Sequence, residues 1–248
     1  MEDATMPTFR KFANPNFDVH SEGDYWEKIK PLKAKTALLI IDVQKHDQAL
    51  SVELRDAGNS YLFDRLKATV IPNARRLLDF FRDQQMVVTF ATLGNQRADG
   101  RDRSPTQARP GWNYTLLKIG TRDQEVVDEL KPCDGEVVVC KTTDSTVMGT
   151  QYGHILRWMG IEHVVVCGLF TDQCVSSTVR DLSDWGYTVF LVEDATSAIN
   201  AELQVWETRM LNQIYCKAVS TEEVLQDLAA EQETTETHSL KLLQVQSE

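Results

Sequence analysis

Three residue types able to do chemistry stand at the ends of strand-like runs, and Cys174 is the most informative. The β-branched run Val164 to Val166 ends at Gly168, a tight polar turn follows, and an amphipathic stretch opens around Cys174. This reads as strand, turn and helix start, where backbone N–H groups lack intrahelical partners and the helix dipole favours negative charge. A thiol there is expected to ionise easily, and a thiolate is the nucleophilic form. The same N–H groups are placed to hold the oxyanion formed when a thiolate attacks a carbonyl. The competing reading is a small buried hydrophobe, the usual fate of a free cysteine.

Two further runs end in charge. Thr36 to Asp42, TALLIID, is a continuous apolar segment closed by a carboxylate, and Gly135 to Lys141, GEVVVCK, is closed by a lysine. A buried carboxylate calls for a partner. In open α/β sheets the ligand crevice lies beyond the carboxyl ends of the strands, so Asp42, Lys141 and Cys174 are expected to meet there. Taken singly, the aspartate also reads as a turn cap and the lysine as a solvated side chain.

The segments IIDVQ around Asp42, K-x-x-x-S from Lys141 to Ser145, and G-x-x-T-x-x-C-V-x-x-T from Gly168 to Thr178 occur in register. Together they resemble the isochorismatase-like cysteine hydrolase superfamily, which includes nicotinamidases and hydrolases of N-carbamoylsarcosine, biuret and ureidoacrylate. The resemblance runs from about Thr36 to about Asp227. It implies a three-layer, Rossmann-like α/β fold with a parallel six-stranded sheet and helices on both faces. It also implies Cys174 as nucleophile, Asp42 as the base that takes its proton and Lys141 as the supporting cation. The backbone N–H groups of Phe170 and Cys174 would form the oxyanion hole, with a cis peptide between Leu169 and Phe170. The implied activity is hydrolysis of a C–N bond in a small amide, ureide or carbamoyl compound through a thioester, with no cofactor.

Other assignments compete. An isochorismatase-type vinyl ether hydrolase shares the fold, but such members typically carry glycine at the position of Cys174. Nicotinamidases add a metal site of an aspartate and histidines, whereas this chain reads Asp42-Val-Gln-Lys-His46-Asp47, and its remaining histidines are His20, His154, His163 and His238. No metal is therefore expected. A catalytically silent binding protein would not need all three reactive residue types, and a redox sensor would need a resolving cysteine. The chain departs from common family patterns at Lys45-His46, at Val147 and at Arg180. Lys45, His46, Trp112, Tyr114 and Val147 are accordingly the candidate substrate contacts, with Trp112 and Tyr114 expected as a lid over a small planar ligand.

The remaining sequence frames this site. At 248 residues, with 42% hydrophobic and 25% charged residues, the chain suits one large domain. We read residues 1–33 as an N-terminal arm, 34–230 as the hydrolase domain and 231–248 as a polar tail. A net charge of -11 argues against nucleic-acid or anionic-membrane partners, although seven acidic residues and one lysine lie between Thr221 and Glu248. The five cysteines form no C-x-x-C pair, and Cys140, Cys167 and Cys216 read as buried thiols. The sequence has no signal-like apolar core and no long apolar span, so a cytoplasmic protein is expected.

Strand-like runs at Thr36–Asp42, Met86–Thr92, Glu136–Lys141, His163–Gly168, Tyr187–Glu193 and Ile214–Ser220 alternate with helical patterns at Tyr61–Gln84, Ser145–Met159, Cys174–Trp185, Ala201–Asn212 and Thr221–Ala229. That alternation predicts a parallel sheet with right-handed crossovers. Val43 to Ser60 and Leu93 to Thr121 read as long loops at the active edge, the second rich in arginine. Phe12, Phe17 and Trp26 in the arm suggest packing on the body or on a partner subunit, and a homodimer or homotetramer is expected.

Overall fold

The computed structural model describes residues 25–109 and 116–231. The strands are β1 (Thr36–Ile41), β2 (Val87–Leu93), β3 (Val137–Lys141), β4 (His163–Leu169), β5 (Thr188–Ser197) and β6 (Lys217–Val219). They form one sheet in the order β3-β2-β1-β4-β5-β6, and every pairing is parallel. The order reverses between β1 and β4, which places the ligand crevice beyond the carboxyl ends of those two strands.

Every residue of β1 is buried, so its side chains supply both faces in alternation. Leu38 and Ile40 join the apolar cluster built with Leu77, Leu78 and Phe81 of the Ile71–Asp83 helix and Leu228 of helical residues 221–231. Leu39 and Ile41 join the opposite cluster with Leu156 of the Tyr152–Trp158 helix and Val179 and Leu182 of the Ser176–Asp184 helix. Helices thus cover both faces in three layers. This two-sided burial is why the central strand reads as an uninterrupted apolar run.

Several local expectations need correction. Residues 43–60 are not one loop, because Lys45–Asp56 is a 12-residue helix. Its buried positions are the polar pair Asp47 and Ser51, so no apolar stripe marks it in the sequence. Only Tyr152–Trp158 of the Ser145–Met159 segment is helical. Ser145 instead organises a turn, its Oγ accepting from the N–H groups of Val147 and Met148 at 3.0 and 3.2 Å. Strand β5 extends to Ser197 after a register shift against β4, while β6 is confined to three residues.

Cys167 and Cys216 are buried, but Cys140 is exposed. It lies on β3, an edge strand whose alternate residues Val138 and Cys140 face outward. Trp26, from the described part of the arm, donates its indole N–H to the Gln213 carbonyl at 2.7 Å. Phe12, Phe17 and the tail beyond residue 231 lie outside the described residues.

Candidate active site

Asp42 directly follows β1 and adopts φ 50, a left-handed conformation that aspartate tolerates better than most residues. Its N–H donates to the Ala91 carbonyl at 2.9 Å, holding the turn against β2. Close approach of β4 on the other side requires glycine at 168. A Cβ there would lie 2.0 Å from the Ile41 carbonyl oxygen, and φ is +119. The residue beside Asp42 is thus pressed against the strand that leads to Cys174.

Lys141 ends β3, two strands away from β1. Neighbouring strands are spaced by about 4.8 Å, so a group on β3 must span roughly 10 Å to reach Asp42. A lysine stem makes that crossing. Its Nζ donates to Asp42 Oδ2 at 2.6 Å, to Cys174 Sγ at 3.2 Å and to the Thr143 carbonyl at 3.2 Å. Three contacts match the three ammonium protons. The three residues are 6%, 1% and 5% exposed for Asp42, Lys141 and Cys174, so they interact in a site largely removed from water.

Burial raises the Asp42 pKa above the ordinary carboxylate value, with Lys141 opposing the shift. Burial works against the Lys141 charge too, but the neighbouring Asp42 carboxylate and Cys174 more than offset it and hold the ammonium protonated. Burial also pushes the Cys174 thiol well above its usual pKa. This corrects the expectation that a helix start makes the thiol ionise easily. Cys174 belongs to a π turn, Thr171–Val175, that precedes the Ser176–Asp184 helix, and desolvation outweighs what the helix end and Lys141 supply. A neutral thiol needs a base within reach, and the Asp42 carboxylate shares the Lys141 ammonium with it.

The peptide between Leu169 and Phe170 is cis. The Phe170 carbonyl accepts from the N–H groups of Gln173 and Val175 at 2.9 and 3.2 Å, curling the chain around Cys174. Thr171 and Thr178, both motif residues, are anchors: Thr171 Oγ1 bonds Gln204, and Thr178 Oγ1 accepts from the Thr146 N–H. Asp42, His46, Asp47, Phe170, Gln173 and Cys174 line part of a cavity of about 30 Å³. Such a volume holds about one or two waters.

Several residues around this cavity were not singled out from sequence. The buried Gln44 carboxamide accepts from Leu93 N–H at 2.8 Å and donates to the Leu93 and Gln124 carbonyls at 3.0 and 2.7 Å, tying β1's exit to β2's. Asp144 Oδ1 lies 3.9 Å from Cys174 Sγ and accepts from buried Gln107. Gln44 lies within the IIDVQ motif and Asp144 within K-x-x-x-S, which is the signal that marks them.

The candidate substrate contacts divide. His46 faces the cavity. Lys45 does not line it, because its ammonium is paired with Glu125 at 2.8 Å and Asp128 at 2.9 Å. Val147 is buried in the apolar cluster that also contains Cys174, so it supports the site from behind. Trp112 and Tyr114 lie outside the described residues. Among the described residues, no group of three or more histidine, cysteine or acidic side chains is arranged to hold a metal ion.

Comparison with known proteins places this geometry in context. Residues 36–223 match the Isochorismatase domain. The chain is 40% identical over 181 residues to the ureidoacrylate amidohydrolase RutB of Caulobacter segnis, covering 67% of this chain and 74% of that protein. Among solved structures, a cysteine hydrolase from Pseudomonas syringae aligns with TM-score 0.70 at 21% identity, covering 82% of this chain and 97% of the other. N-carbamoylsarcosine amidase from Thermoplasma acidophilum aligns with TM-score 0.58 at 26% identity, covering 75% and 96%. With a domain match across most of its length and the parallel sheet to accompany it, the chain belongs to the isochorismatase family of hydrolases.

Proposed function

We propose that the protein is a cysteine-dependent amidohydrolase acting on a small amide, ureide or carbamoyl compound. The observation that carries the reading is the buried contact of one ammonium with both a carboxylate and a thiol. Asp42 takes the thiol proton while Lys141 remains charged and lowers the energy of the ion pair being formed. The thiolate attacks the carbonyl carbon, and the N–H groups of Phe170 and Cys174 hold the tetrahedral oxyanion. Asp42 then gives its proton to the departing nitrogen, the C–N bond breaks and a thioester remains. Water, deprotonated by Asp42, attacks that thioester, and the acid and free thiol are released.

The amidohydrolase relatives support a C–N bond as the target, and the confined cavity favours a compact substrate. The test is ammonia release across a panel of small amides, ureides and carbamoyl compounds. It is paired with mass spectrometry of the protein during turnover. Activity that vanishes in Cys174→Ala, together with an acyl adduct on Cys174 in the wild type, is the expected result. Cleavage of isochorismate at an unchanged rate in Cys174→Ala would assign the chain to vinyl ether hydrolysis instead.

A further inference from the structure

The cavity beside Cys174 has a distinctive charge balance. Its polar lining consists of Asp42, Gln44, His46, Asp47, Gln173 and Cys174, and the rest is apolar. Among the described residues, no lysine or arginine belongs to that lining. The nearest ammonium, Lys141, already directs its protons to Asp42, Cys174 and the Thr143 carbonyl. Four cations of the surrounding segments are held elsewhere. Lys45 is paired with Glu125 and Asp128, Arg97 and Arg101 with Asp99, and Arg103 with the carbonyls of Gly100 and Gln107.

Carboxyl groups, by contrast, are concentrated here. Asp42 Oδ1 is buried with no hydrogen-bond partner among the described residues. Asp47, 8% exposed in the first turn of the Lys45–Asp56 helix, presents a second carboxyl to the same space. Burial and the neighbouring Asp42 push the Asp47 pKa up to about 8, against the backbone N–H groups of Gln44 and Asp47 and the charge of Lys141. Burial lowers the pKa of His46, opposed by Asp123 and Glu53, so its imidazole is neutral near pH 7. A carboxylate entering here would be stripped of water beside Asp42 with no lysine or arginine in the described lining to receive it.

We propose that His46 and Asp47 select a substrate whose end remote from the scissile bond is neutral and rich in N–H donors, such as a carboxamide or ureide, over one ending in a carboxylate. The proposal rests on the amidohydrolase reading and sets this chain apart from its relatives, since ureidoacrylate and N-carbamoylsarcosine both carry carboxylates. The selectivity comes from two sources. The unpaired Asp42 Oδ1 rewards a donor, and a carboxylate beside Asp42 meets like charge with no lysine or arginine in the lining.

The test uses N-carbamoylglycinamide and N-carbamoylglycine, which share the scissile group and differ only at the remote end. Calorimetry on Cys174→Ala should show the amide binding at least about tenfold more tightly than the acid. In the wild type, the ratio of kcat/KM for amide over acid should widen as pH rises through about 8, where Asp47 ionises. Asp42 and Cys174 also face this space, backed by Lys141, but these three act on the shared reacting group, and Asp47→Asn isolates the remaining contribution by flattening the trend. Equal or tighter binding of the acid, binding of neither compound, or an unchanged pH trend in Asp47→Asn would overturn the proposal. Selective binding without ammonia release from either compound would uphold this selectivity and remove the amidohydrolase reading alone.

Discussion

Replacing Lys141 with methionine separates the electrostatic role of this residue from its bulk. In the native protein the Lys141 side chain is 0% exposed and Asp42 8%, with 2.6 Å between Nζ and Oδ2. Removing one member of such a buried pair costs about 3–5 kcal/mol if the other remains charged. Loss of a donor to the Thr143 carbonyl adds about 1 kcal/mol at any pH. Asp42 can avoid the larger cost by binding a proton. Its pKa is already raised by burial, and Lys141 is the main influence pulling it down, so Lys141→Met raises it further. A carboxyl whose folded pKa lies above its unfolded value stabilises the native state fully below the unfolded pKa, here 3.8. That contribution is lost as pH rises through the folded pKa. The stability deficit of Lys141→Met should therefore be small at pH 4–5 and approach about 3–5 kcal/mol by pH 8. Turnover should fall by at least about 10²–10³, because a protonated Asp42 is no base and the charge stabilisation is gone. Urea denaturation of both proteins at pH 5 and pH 8, alongside hydrolase activity, measures both quantities. A deficit independent of pH, or activity within tenfold of wild type, would refute the reasoning.

Four other outcomes follow from the same geometry. Gly168→Ala should destabilise the protein by more than about 3 kcal/mol, since the new Cβ meets the Ile41 carbonyl oxygen at 2.0 Å; a wild-type thermal midpoint would contradict the close approach of β1 and β4. The acid limb of kcat/KM should lie above the ordinary carboxylate range of about 4, because Asp42 must be ionised to act and burial raises its pKa; a limb at or below that value would remove Asp42 as the base. Activity should survive exhaustive chelation, with no stoichiometric zinc or iron by elemental analysis, and loss with EDTA restored by a divalent ion would overturn this. The intact chain should be a dimer or tetramer by light scattering, and deleting residues 1–24 should lower its assembly state while leaving the Trp26 to Gln213 hydrogen bond; a micromolar monomer with the arm present would end the proposal.

The sequence by itself determined the strand ends that carry Asp42, Lys141 and Cys174. Central parallel strands are covered on both faces, so they appear as apolar runs, and a charged residue closing such a run has few places to go except the crevice. The motif spacing likewise marked the β4 turn, where Gly168 permits a contact that any Cβ would block. Less legible was the Lys45–Asp56 helix, because its inward side is Asp47 and Ser51, and hydrophobic periodicity registers only apolar burial. The motifs contain Gln44 and Asp144 but do not reveal their roles, which come from contacts 49 and 30 residues away along the chain. The protonation of the thiol was decided by tertiary structure alone. A local pattern reveals the helix end that would acidify Cys174, but the burial that outweighs it depends on every layer packed around the site. Lys45 and His46 make the same point side by side. Adjacent in sequence, one faces an external pair of acids and the other the cavity, because the first turn of a helix sends successive side chains in different directions.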